Sequence, residues 1–201
     1  METIGLLSGI GHLPVDVALS AKSMGYRVIA VGVVPDIDPE LAEAVDAYYD
    51  IHIGKIGKII STLKKNDVKT VTMIGKVTKE LLYKAGAVVP DLRAIKILAS
   101  VPDRKDDTIM NAIVKELKGE GIKVMDQTLL IQPLLPPPGV LTQRMPTEAE
   151  VADMDFGFAM AKEIGRLDIG QTVVVKDRAL MAVEAIEGTD ACILRGGKLA
   201  C

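Results

Sequence analysis

The sequence predicts an α/β protein in which an N-terminal Rossmann-like, open and mostly parallel sheet precedes part of a second α/β domain. Over residues 1–131, short apolar runs alternate with amphipathic segments, as in chains that cover a parallel sheet with helices. A glycine-rich turn, GIGHLP, directly follows the first apolar run. Residues 132–146, QPLLPPPGVLTQRMP, contain three consecutive prolines and predict a linker, because they cannot continue a helix or a central strand. Residues 147–201 are then the start of an incomplete second domain.

Five apolar runs of the first domain are predicted strands: TIGLLSG, YRVIAVGVV, YDIHIG, KTVTMIG and IKVMDQTLLI. Such near-continuous apolar runs are typical of parallel strands that are covered on both faces. Pro14 suits the first turn of the first helix, since its missing N–H would be unpaired there, and Gly25 suits its end. The segments DPELAEAVDA and KIGKIISTLKKNDV are predicted helices, and residues 78–121 are predicted to be mostly helical. The candidate cap and end residues of the last helix are Asp106, Asp107, Gly119 and Gly121.

The second segment is predicted to contain a helix, a hairpin and a helical turn. Thr147 and Glu150 have the spacing of a capping box. The helix that follows would carry Val151, Met154, Phe158 and Ala161 on one face. QTVVVKDRALMAVEAIEG predicts a hairpin that turns near Lys176-Asp177-Arg178, and TDACILRGG predicts a helical turn closed by its glycines. A segment of this size buries little surface, so it is expected to pack onto the first domain or a partner, or to be followed by more chain.

The composition excludes several classes of protein. The 24 basic and 27 acidic residues give a net charge of −3, without the basic surface expected of a nucleic-acid binder. The start of the chain lacks the basic region of a signal peptide, and no stretch is long enough to span a membrane. Cys192 and Cys201 have neither a metal-ligand spacing nor the number needed for a disulfide framework. We therefore expect a cytoplasmic protein.

The turn GIGHLP is a candidate anion site. Gly9 and Gly11 would let backbone N–H groups approach a phosphate at the positive end of a helix, and His12 would touch the ligand. Pro14 replaces the third glycine of a dinucleotide fingerprint, which disfavours classical NAD binding. The alternative is a tight turn between a strand and a helix, with no ligand.

Lys76 is a second candidate for a phosphate contact. Gly75-Lys76 follows a predicted strand, at the edge where open α/β sheets bind ligands. The alternative is a solvated loop lysine, which is the more common case. His52 alternates within a predicted strand and is interpreted as structural.

The stretch AVEAIEGTD, residues 182–190, is a candidate magnesium site. Glu184, Glu187 and Asp190 would supply carboxylates, since Mg²⁺ prefers one or two of them together with waters and phosphate oxygens. Arg195 would neutralise a further phosphate oxygen. Glu184 and Glu187 would point to opposite faces of a straight strand, so they converge only if the chain turns at Ile186-Glu187-Gly188.

The alternative for the same stretch involves no metal. Glu184 would then face solvent on the hairpin, and Thr189 or Asp190 would cap the next helix, as such residues commonly do.

Several segments together resemble the LpxI family, the UDP-2,3-diacylglucosamine pyrophosphatases of lipid A synthesis in Gram-negative bacteria. They are GIGHLP, PDLRAIKIL, PDRKDDTIM, GVLTQRMPTEAE and GQTVVVKDRALMAVEAIEGTDACILRGG, of which AVEAIEGTD is the most specific. The resemblance implies a two-domain, magnesium-dependent hydrolase that releases UMP and 2,3-diacylglucosamine 1-phosphate and holds the lipid between its domains. It also implies transient contact with the inner membrane, and a homodimer remains an option. The substrate-binding residues that we expect are Gly9, Gly11, His12, Lys76, Gly188, Thr189 and Arg195, with Glu184, Glu187 and Asp190 as magnesium ligands.

The sequence departs from the family pattern in one respect. Members of the family continue into a segment of the form K-P-x-Q-D-x-R-F-D, which carries the acid regarded as essential for catalysis. No such segment occurs within 1–201, so no catalytic residue is assigned there. The expectation is an incomplete enzyme with weakened ligand affinity and very low turnover.

Two other functions remain open at this stage. The same first domain would serve a non-catalytic nucleotide- or sugar-nucleotide-binding module. An exposed hairpin, TVVVKDRALMAV, would allow an interaction fragment to pair with another chain through its edge. For the acylated substrate we expect an apolar cleft between the domains, lined by Leu134, Leu135, Val140 and Met145.

Overall fold

The computed structural model describes residues 1–77, 89–102 and 106–200. The chain divides into two compact units, Met1–Pro136 and Pro137–Cys201. In the first unit the strands are β1 (Thr3–Ser8), β2 (Arg27–Gly32), β3 (Ala47–Asp50), β4 (Thr70–Ile74) and β5 (Lys123–Val124). The helices described there are α1 (Leu13–Ser23), α2 (Glu40–Ala44), α3 (Ile56–Lys65), α4 (Leu92–Ser100) and α5 (Asp106–Gly119).

The first unit is built on a parallel five-stranded sheet with the order β3-β2-β1-β4-β5. β1 pairs in parallel with β2 on one side and with β4 on the other. The chain therefore leaves β1 toward one edge and later crosses to the opposite side. The carboxyl ends of β1 and β4 meet at this reversal, which is the switch point where open α/β sheets bind ligands. The predicted fold class is confirmed.

Both faces of the sheet are buried, which explains the near-continuous apolar strands. Leu7 belongs to the core on the α3 side, together with Ile60 and Leu117. Ile4 and Leu6 belong to the core on the α1 side. The alternation within β1 follows from the two-residue period of a strand.

The boundaries of two strands differ from the prediction. The third strand is Ala47–Asp50 and ends before His52, whose Nδ1 accepts a hydrogen bond from the Gly54 N–H at 3.2 Å. The fifth strand has only two residues. Asp126 ends it, because its carboxylate accepts the Thr128 N–H at 2.9 Å and starts a 3₁₀ turn over Gln127–Leu130. A local bond of this kind competes with strand pairing.

Several predicted helix starts and ends in the first unit agree with the structure. Pro14 lies in the first turn of α1 as predicted, and Gly25 follows the helix end with a φ of 88°. α5 ends at Gly119, one of the two predicted ends. The predicted helical content of residues 78–88 and the predicted caps at Asp106 and Asp107 lie outside the described residues and side chains.

The second unit contains α6 (Glu148–Arg166), a hairpin of β6 (Val173–Lys176) and β7 (Ala179–Val183), and α7 (Thr189–Leu199). The predicted capping box is confirmed, since the Thr147 N–H donates to Glu150 at 2.8 Å and the Glu150 N–H donates to Thr147 Oγ1 at 3.3 Å. Hydrogen bonds from Arg144 and from Thr147 lower the pKa of Glu150 to about 2, so the Glu150 carboxylate of the capping box is ionised at neutral pH. α6 rests on the hairpin through Gly157, its buried residue.

The hairpin turns at Asp177-Arg178, as predicted. Both residues have positive φ, 52° and 56°, as a type I′ turn requires. Asp153 on α6 holds this turn, because its carboxylate accepts the N–H groups of Asp177 at 2.9 Å and Arg178 at 2.6 Å. The predicted helical turn over TDACILRGG is wrong in extent: α7 continues to Leu199, so its glycines lie within the helix.

Replacing Arg178 by glycine should stabilise the hairpin. Glycine adopts positive φ without the cost that a larger residue incurs, so we expect a gain of about 1 kcal/mol in the free energy of unfolding. Urea unfolding followed by circular dichroism measures the change. The control is Ala179→Gly, at an exposed strand position, where the same residue should destabilise. A loss of stability in Arg178→Gly would show that the arginine side chain contributes more than its backbone costs.

Candidate functional site

The loops that follow β1 and β4 are joined by backbone hydrogen bonds at the switch point. The Gly9 N–H donates to the Ile74 carbonyl at 2.8 Å. The Ile10 N–H donates to the Lys76 carbonyl and the Lys76 N–H donates back to the Ile10 carbonyl, both at 2.9 Å. This exchange fixes the path of the glycine turn relative to Lys76.

Gly9 and Gly75 are required by the closeness of these two loops. A Cβ at Gly9 would lie 2.6 Å from the Lys76 carbonyl oxygen, and a Cβ at Gly75 would lie 2.7 Å from the Gly9 carbonyl carbon. Gly75 also has a φ of 93°, which favours glycine. The sequence analysis assigned Gly9 to ligand binding, and the structure adds a steric role.

Gly11 has a different role, because it opens the N-terminus of α1. Its φ is 108°, and a Cβ there would meet nothing within 4 Å. The backbone N–H groups of Gly11, His12 and Leu13 donate to none of the residues that the structure describes. They lie at the positive end of an 11-residue helix, an arrangement that can bind an anion such as a phosphate.

Ser8 is a polar residue of this region that the sequence analysis missed. It is fully buried at the end of β1, and its Oγ has no hydrogen-bond partner among the described residues. A buried hydroxyl without a partner is costly and requires an explanation. The sequence feature that could have identified Ser8 is a serine at the end of an apolar strand, directly before a glycine turn.

His12 is held at the start of α1 by an acid from another loop. Its Nδ1 lies 2.9 Å from Asp38 Oδ2, and its Nε2 lies 3.9 Å from Asp16 Oδ1. The hydrogen bond with Asp38 raises the pKa of His12, and the same bond lowers the pKa of Asp38. His12 therefore carries more positive charge near neutral pH than a free histidine, next to the candidate anion site.

Replacing Asp38 by asparagine should lower the pKa of His12. The raised pKa of His12 and the lowered pKa of Asp38 mean that this pair stabilises the folded state fully between the ordinary values of 3.8 and 6.5. The stabilisation is lost as pH rises through the folded value of His12 or falls through that of Asp38. An NMR titration of the His12 ring measures the shift. The control is Asp16→Asn, which should have a smaller effect because Asp16 lies farther from the ring. Equal shifts in the two variants would contradict the role of Asp38.

Lys76 is exposed beside the glycine turn, and its side chain forms no ion pair with the described residues. Its position is fixed by the backbone exchange with Ile10 rather than by its side chain. The structure thus brings Lys76 to the same edge of the sheet as Gly9, Gly11 and His12. Asp38, which joins them, was missed by the sequence analysis.

In the second unit Glu184 points inward. It is only 8% exposed, and it accepts the Thr189 hydroxyl at 3.1 and 3.2 Å and the Gln171 N–H at 3.3 Å. The alternative in which Glu184 faces solvent is therefore wrong. The physical reason is that the chain turns after β7, so that the start of α7 covers the carboxylate.

The same alternative, in which Thr189 or Asp190 caps α7, is also wrong. Gly188 is the N-cap residue, with a φ of 87°, and no side chain caps the helix there. Thr189 is the first helical residue, and its hydroxyl bonds to Glu184 instead. Asp190 lies exposed in the first turn, where its charge favours the positive end of the helix.

Arg195 and Glu187 form an ion pair beside this corner. Arg195 donates to Glu187 and also to the Val183 carbonyl, the latter at 2.9 Å. The backbone N–H of Glu187 itself, then that of Ala185 and the Arg195 side chain, lower the pKa of Glu187. Glu187 is therefore ionised, and part of its charge is already neutralised.

These contacts do not make a magnesium site from protein groups alone. Among the described residues, no group of three or more Asp, Glu, His or Cys is arranged to hold a metal ion. Glu184 is occupied by Thr189 and Glu187 by Arg195, so the predicted carboxylates do not form one ligand set. Magnesium dependence remains a prediction.

The predicted site residues thus fall into two clusters, one in each unit. The first consists of Gly9, Gly11, His12 and Lys76. The second consists of Glu184, Glu187, Gly188, Thr189, Asp190 and Arg195.

The fold defines a Rossmann-like α/β protein, and the first cluster is a candidate anion-binding turn at the switch point of its sheet. Comparison with models of protein families identifies the chain more specifically than its fold does. The LpxI N-terminal domain matches residues 3–134, and the LpxI C-terminal domain matches residues 137–201. The chain belongs to the LpxI family, which confirms the resemblance seen in the sequence.

A curated relative supports the same family. The chain is 34% identical over 198 residues to the UDP-2,3-diacylglucosamine pyrophosphatase LpxI of Caulobacter vibrioides, covering 97% of this chain and 69% of that protein.

Two solved structures match parts of the chain. N5-carboxyaminoimidazole ribonucleotide synthetase from Thermotoga maritima is 22% identical, with a TM-score of 0.35 over 65% of this chain and 27% of that one. Glycinamide-RNase-transformylase T from Mycobacterium tuberculosis is 10% identical, with a TM-score of 0.36 over 61% and 28%. The chain therefore spans less than a third of either solved chain, and neither likeness bears on function.

Within the part of the chain that the structure describes, no helix is both long enough and apolar enough to cross a membrane.

Proposed function

We propose that the protein hydrolyses the diphosphate of UDP-2,3-diacylglucosamine to UMP and 2,3-diacylglucosamine 1-phosphate, a step of lipid A synthesis. The observation that carries this proposal is the 34% identity, over 97% of the chain, with a protein named for that activity. Membership of the LpxI family over residues 3–134 and 137–201 supports it.

The first cluster suits the binding of a diphosphate. The free N–H groups of Gly11, His12 and Leu13 would donate to phosphate oxygens at the positive end of α1. The raised pKa of His12 adds positive charge, and Lys76 adds a second cation from the neighbouring loop. Charge neutralisation at these oxygens is the main requirement of diphosphate hydrolysis.

In the second unit, Arg195 is a separate candidate for a phosphate contact. Its pairing with Glu187 and with the Val183 carbonyl orients the guanidinium while leaving further N–H groups for a phosphate oxygen. The buried Glu184–Thr189 bond would hold the start of α7 and the Gly188 turn in place. No described residue is assigned the role of catalytic acid or base.

The proposal includes a requirement for Mg²⁺, although the three carboxylates do not form a ligand set. When bound, such an ion would neutralise charge on the diphosphate. We further propose that the protein acts in the cytoplasm, contacts the inner membrane only transiently to collect its substrate, and forms no stable anchor. Flotation with anionic vesicles tests the membrane contact, and sedimentation equilibrium tests a homodimer.

The deciding experiment measures UMP release from UDP-2,3-diacylglucosamine by the chain, with Mg²⁺ and with a chelator. Magnesium-dependent release would support both the substrate and the ion. Substrate binding is measured in parallel by calorimetry, so that a loss of binding is distinguished from a loss of turnover. Binding without release would favour the alternative, a non-catalytic sugar-nucleotide-binding module. Failure to bind would contradict the proposal.

A further inference from the structure

A cavity of about 530 Å³ opens at the carboxyl edge of the sheet in the first unit. It lies on the side of the sheet covered by α3 and α5. Leu7 and Met73 line it from the sheet, Ile56 and Ile60 from α3, and Met110 and Ile113 from α5. Its volume is typical of ligand pockets, which span roughly 300–1,000 Å³.

The wall of this cavity is almost entirely aliphatic. Among the described side chains that line it, only Lys76 and Gln127 are polar, and both are exposed. A sugar or a nucleobase would lose hydrogen bonds with water on entering and find no partners inside. A hydrocarbon chain, in contrast, gains about 0.8 kcal/mol for each methylene that leaves water.

The cavity shares residues with the candidate anion site. Gly9, Gly75 and Lys76 line the cavity and also form the switch point next to the glycine turn. A ligand with an anionic group at the glycine turn would therefore have the opening of an apolar cavity within reach. A diphosphate joined to a fatty-acyl chain combines these two chemistries.

We propose that this cavity holds one fatty-acyl chain of the acylated sugar nucleotide. The inference rests on the proposed function for the identity of the ligand, and on the wall of the cavity for the position of the chain. It places an acyl chain within the first unit, at α3 and α5, rather than at the linker residues Leu134, Leu135, Val140 and Met145.

Photolabelling locates the chain directly. UDP-2,3-diacylglucosamine carrying a diazirine at the end of one acyl chain is irradiated with the protein, and the labelled peptides are identified by mass spectrometry. We expect label in residues 53–60 and 110–117. Label in residues 132–146 or in the second unit would overturn the proposal, as would no label above that given by a diazirine-free control.

A blocking variant tests the energetics. Met110→Trp adds bulk at the rim of the cavity, and Ile113→Phe adds it deeper inside. Each should weaken binding of the diacylated sugar nucleotide by about tenfold or more, since excluding two methylenes already costs that much. Binding of UDP-glucosamine, which has no chain, should not change. The matched control is Leu19→Trp on α1, at an exposed position outside the cavity.

Further comparisons test the acyl-chain cavity independently of the proposed function and test whether another lipid occupies it. Acyl-dependent binding that is lost in Met110→Trp supports the cavity even when no UMP is released. Equal affinity of the wild-type chain for UDP-glucosamine and the diacylated compound overturns the cavity while leaving diphosphate hydrolysis intact. Free myristate that labels the same peptides and is not displaced by the diacylated compound would assign the cavity to a different lipid and overturn the proposal.

Discussion

Gly75→Ala should destabilise the first unit by roughly 4 kcal/mol and impair ligand binding at the switch point. Two costs combine. The residue has a φ of 93°, where a side chain costs about 1–2 kcal/mol. Its Cβ would also lie 2.7 Å from the Gly9 carbonyl carbon, and overpacking against backbone costs about 1–3 kcal/mol more. The two loops would have to separate, and the Ile10–Lys76 exchange would break with them.

The control for this prediction is Gly25→Ala. Gly25 has nearly the same φ, 88°, but a Cβ there would meet nothing within 4 Å. Its loss of stability therefore measures the cost of the backbone conformation alone, and the difference between the two variants measures the close approach of the loops. Urea unfolding followed by circular dichroism gives both values. A Gly75→Ala variant as stable as Gly25→Ala would show that the loops can separate without cost.

Gly75→Ala also tests whether the two loops form one binding site. Calorimetric titration with UMP, a proposed product, should show weakened binding in Gly75→Ala but not in Gly25→Ala, which lies at the other end of α1. Unchanged binding in Gly75→Ala would mean that the glycine turn acts without the β4 loop.

The fold was predictable from the sequence because its signals are local. The alternation of apolar runs with amphipathic segments identified the parallel sheet. Thr147 and Glu150 identified the start of α6, because a capping box forms its hydrogen bonds within three residues. Asp177-Arg178 identified the hairpin turn, because these two residues directly join the paired strands. β5 was predicted too long because Asp126 accepts the Thr128 N–H, and a local capping bond and a continuing strand have similar sequence patterns.

The candidate sites were less predictable because their contacts join distant segments. His12 and Asp38 are 26 residues apart, and no spacing rule pairs them. Glu184 is buried beside Gln171, which is 13 residues away, and beside Thr189, which lies beyond the turn after β7. The sequence supplied the residue types, whereas the tertiary fold decided which carboxylate is occupied and which is exposed.

Gly196 and Gly197 also show that a sequence pattern does not reveal contacts between distant segments. Two adjacent glycines suggested the end of a helix, but α7 continues through both. A Cβ at Gly196 would lie 2.5 Å from Val174 Cβ, whereas a Cβ at Gly197 would meet nothing within 4 Å. Gly196 is therefore a contact point between α7 and β6, which a sequence pattern cannot distinguish from a helix stop.

Gly196→Ala should destabilise the second unit by about 2–3 kcal/mol, because α7 must move away from the hairpin. Gly197→Ala, one residue later in the same helix, should be neutral or stabilise by up to about 1 kcal/mol, since alanine favours a helix. Thermal unfolding measures the stability, and hydrogen exchange of the β6 amides shows whether the hairpin is the part that opens. Domains of this size are stable by only about 3–10 kcal/mol, so the loss in Gly196→Ala would be a large fraction. The same substitution should also disturb the second cluster. The Glu184–Thr189 hydrogen bond lies at the start of α7, so a shift of this helix should break that bond and the fixed arrangement of Arg195 and Glu187. Equal stability of the two alanine variants would show that α7 can shift on the hairpin without cost, and the second cluster would then not be rigidly held.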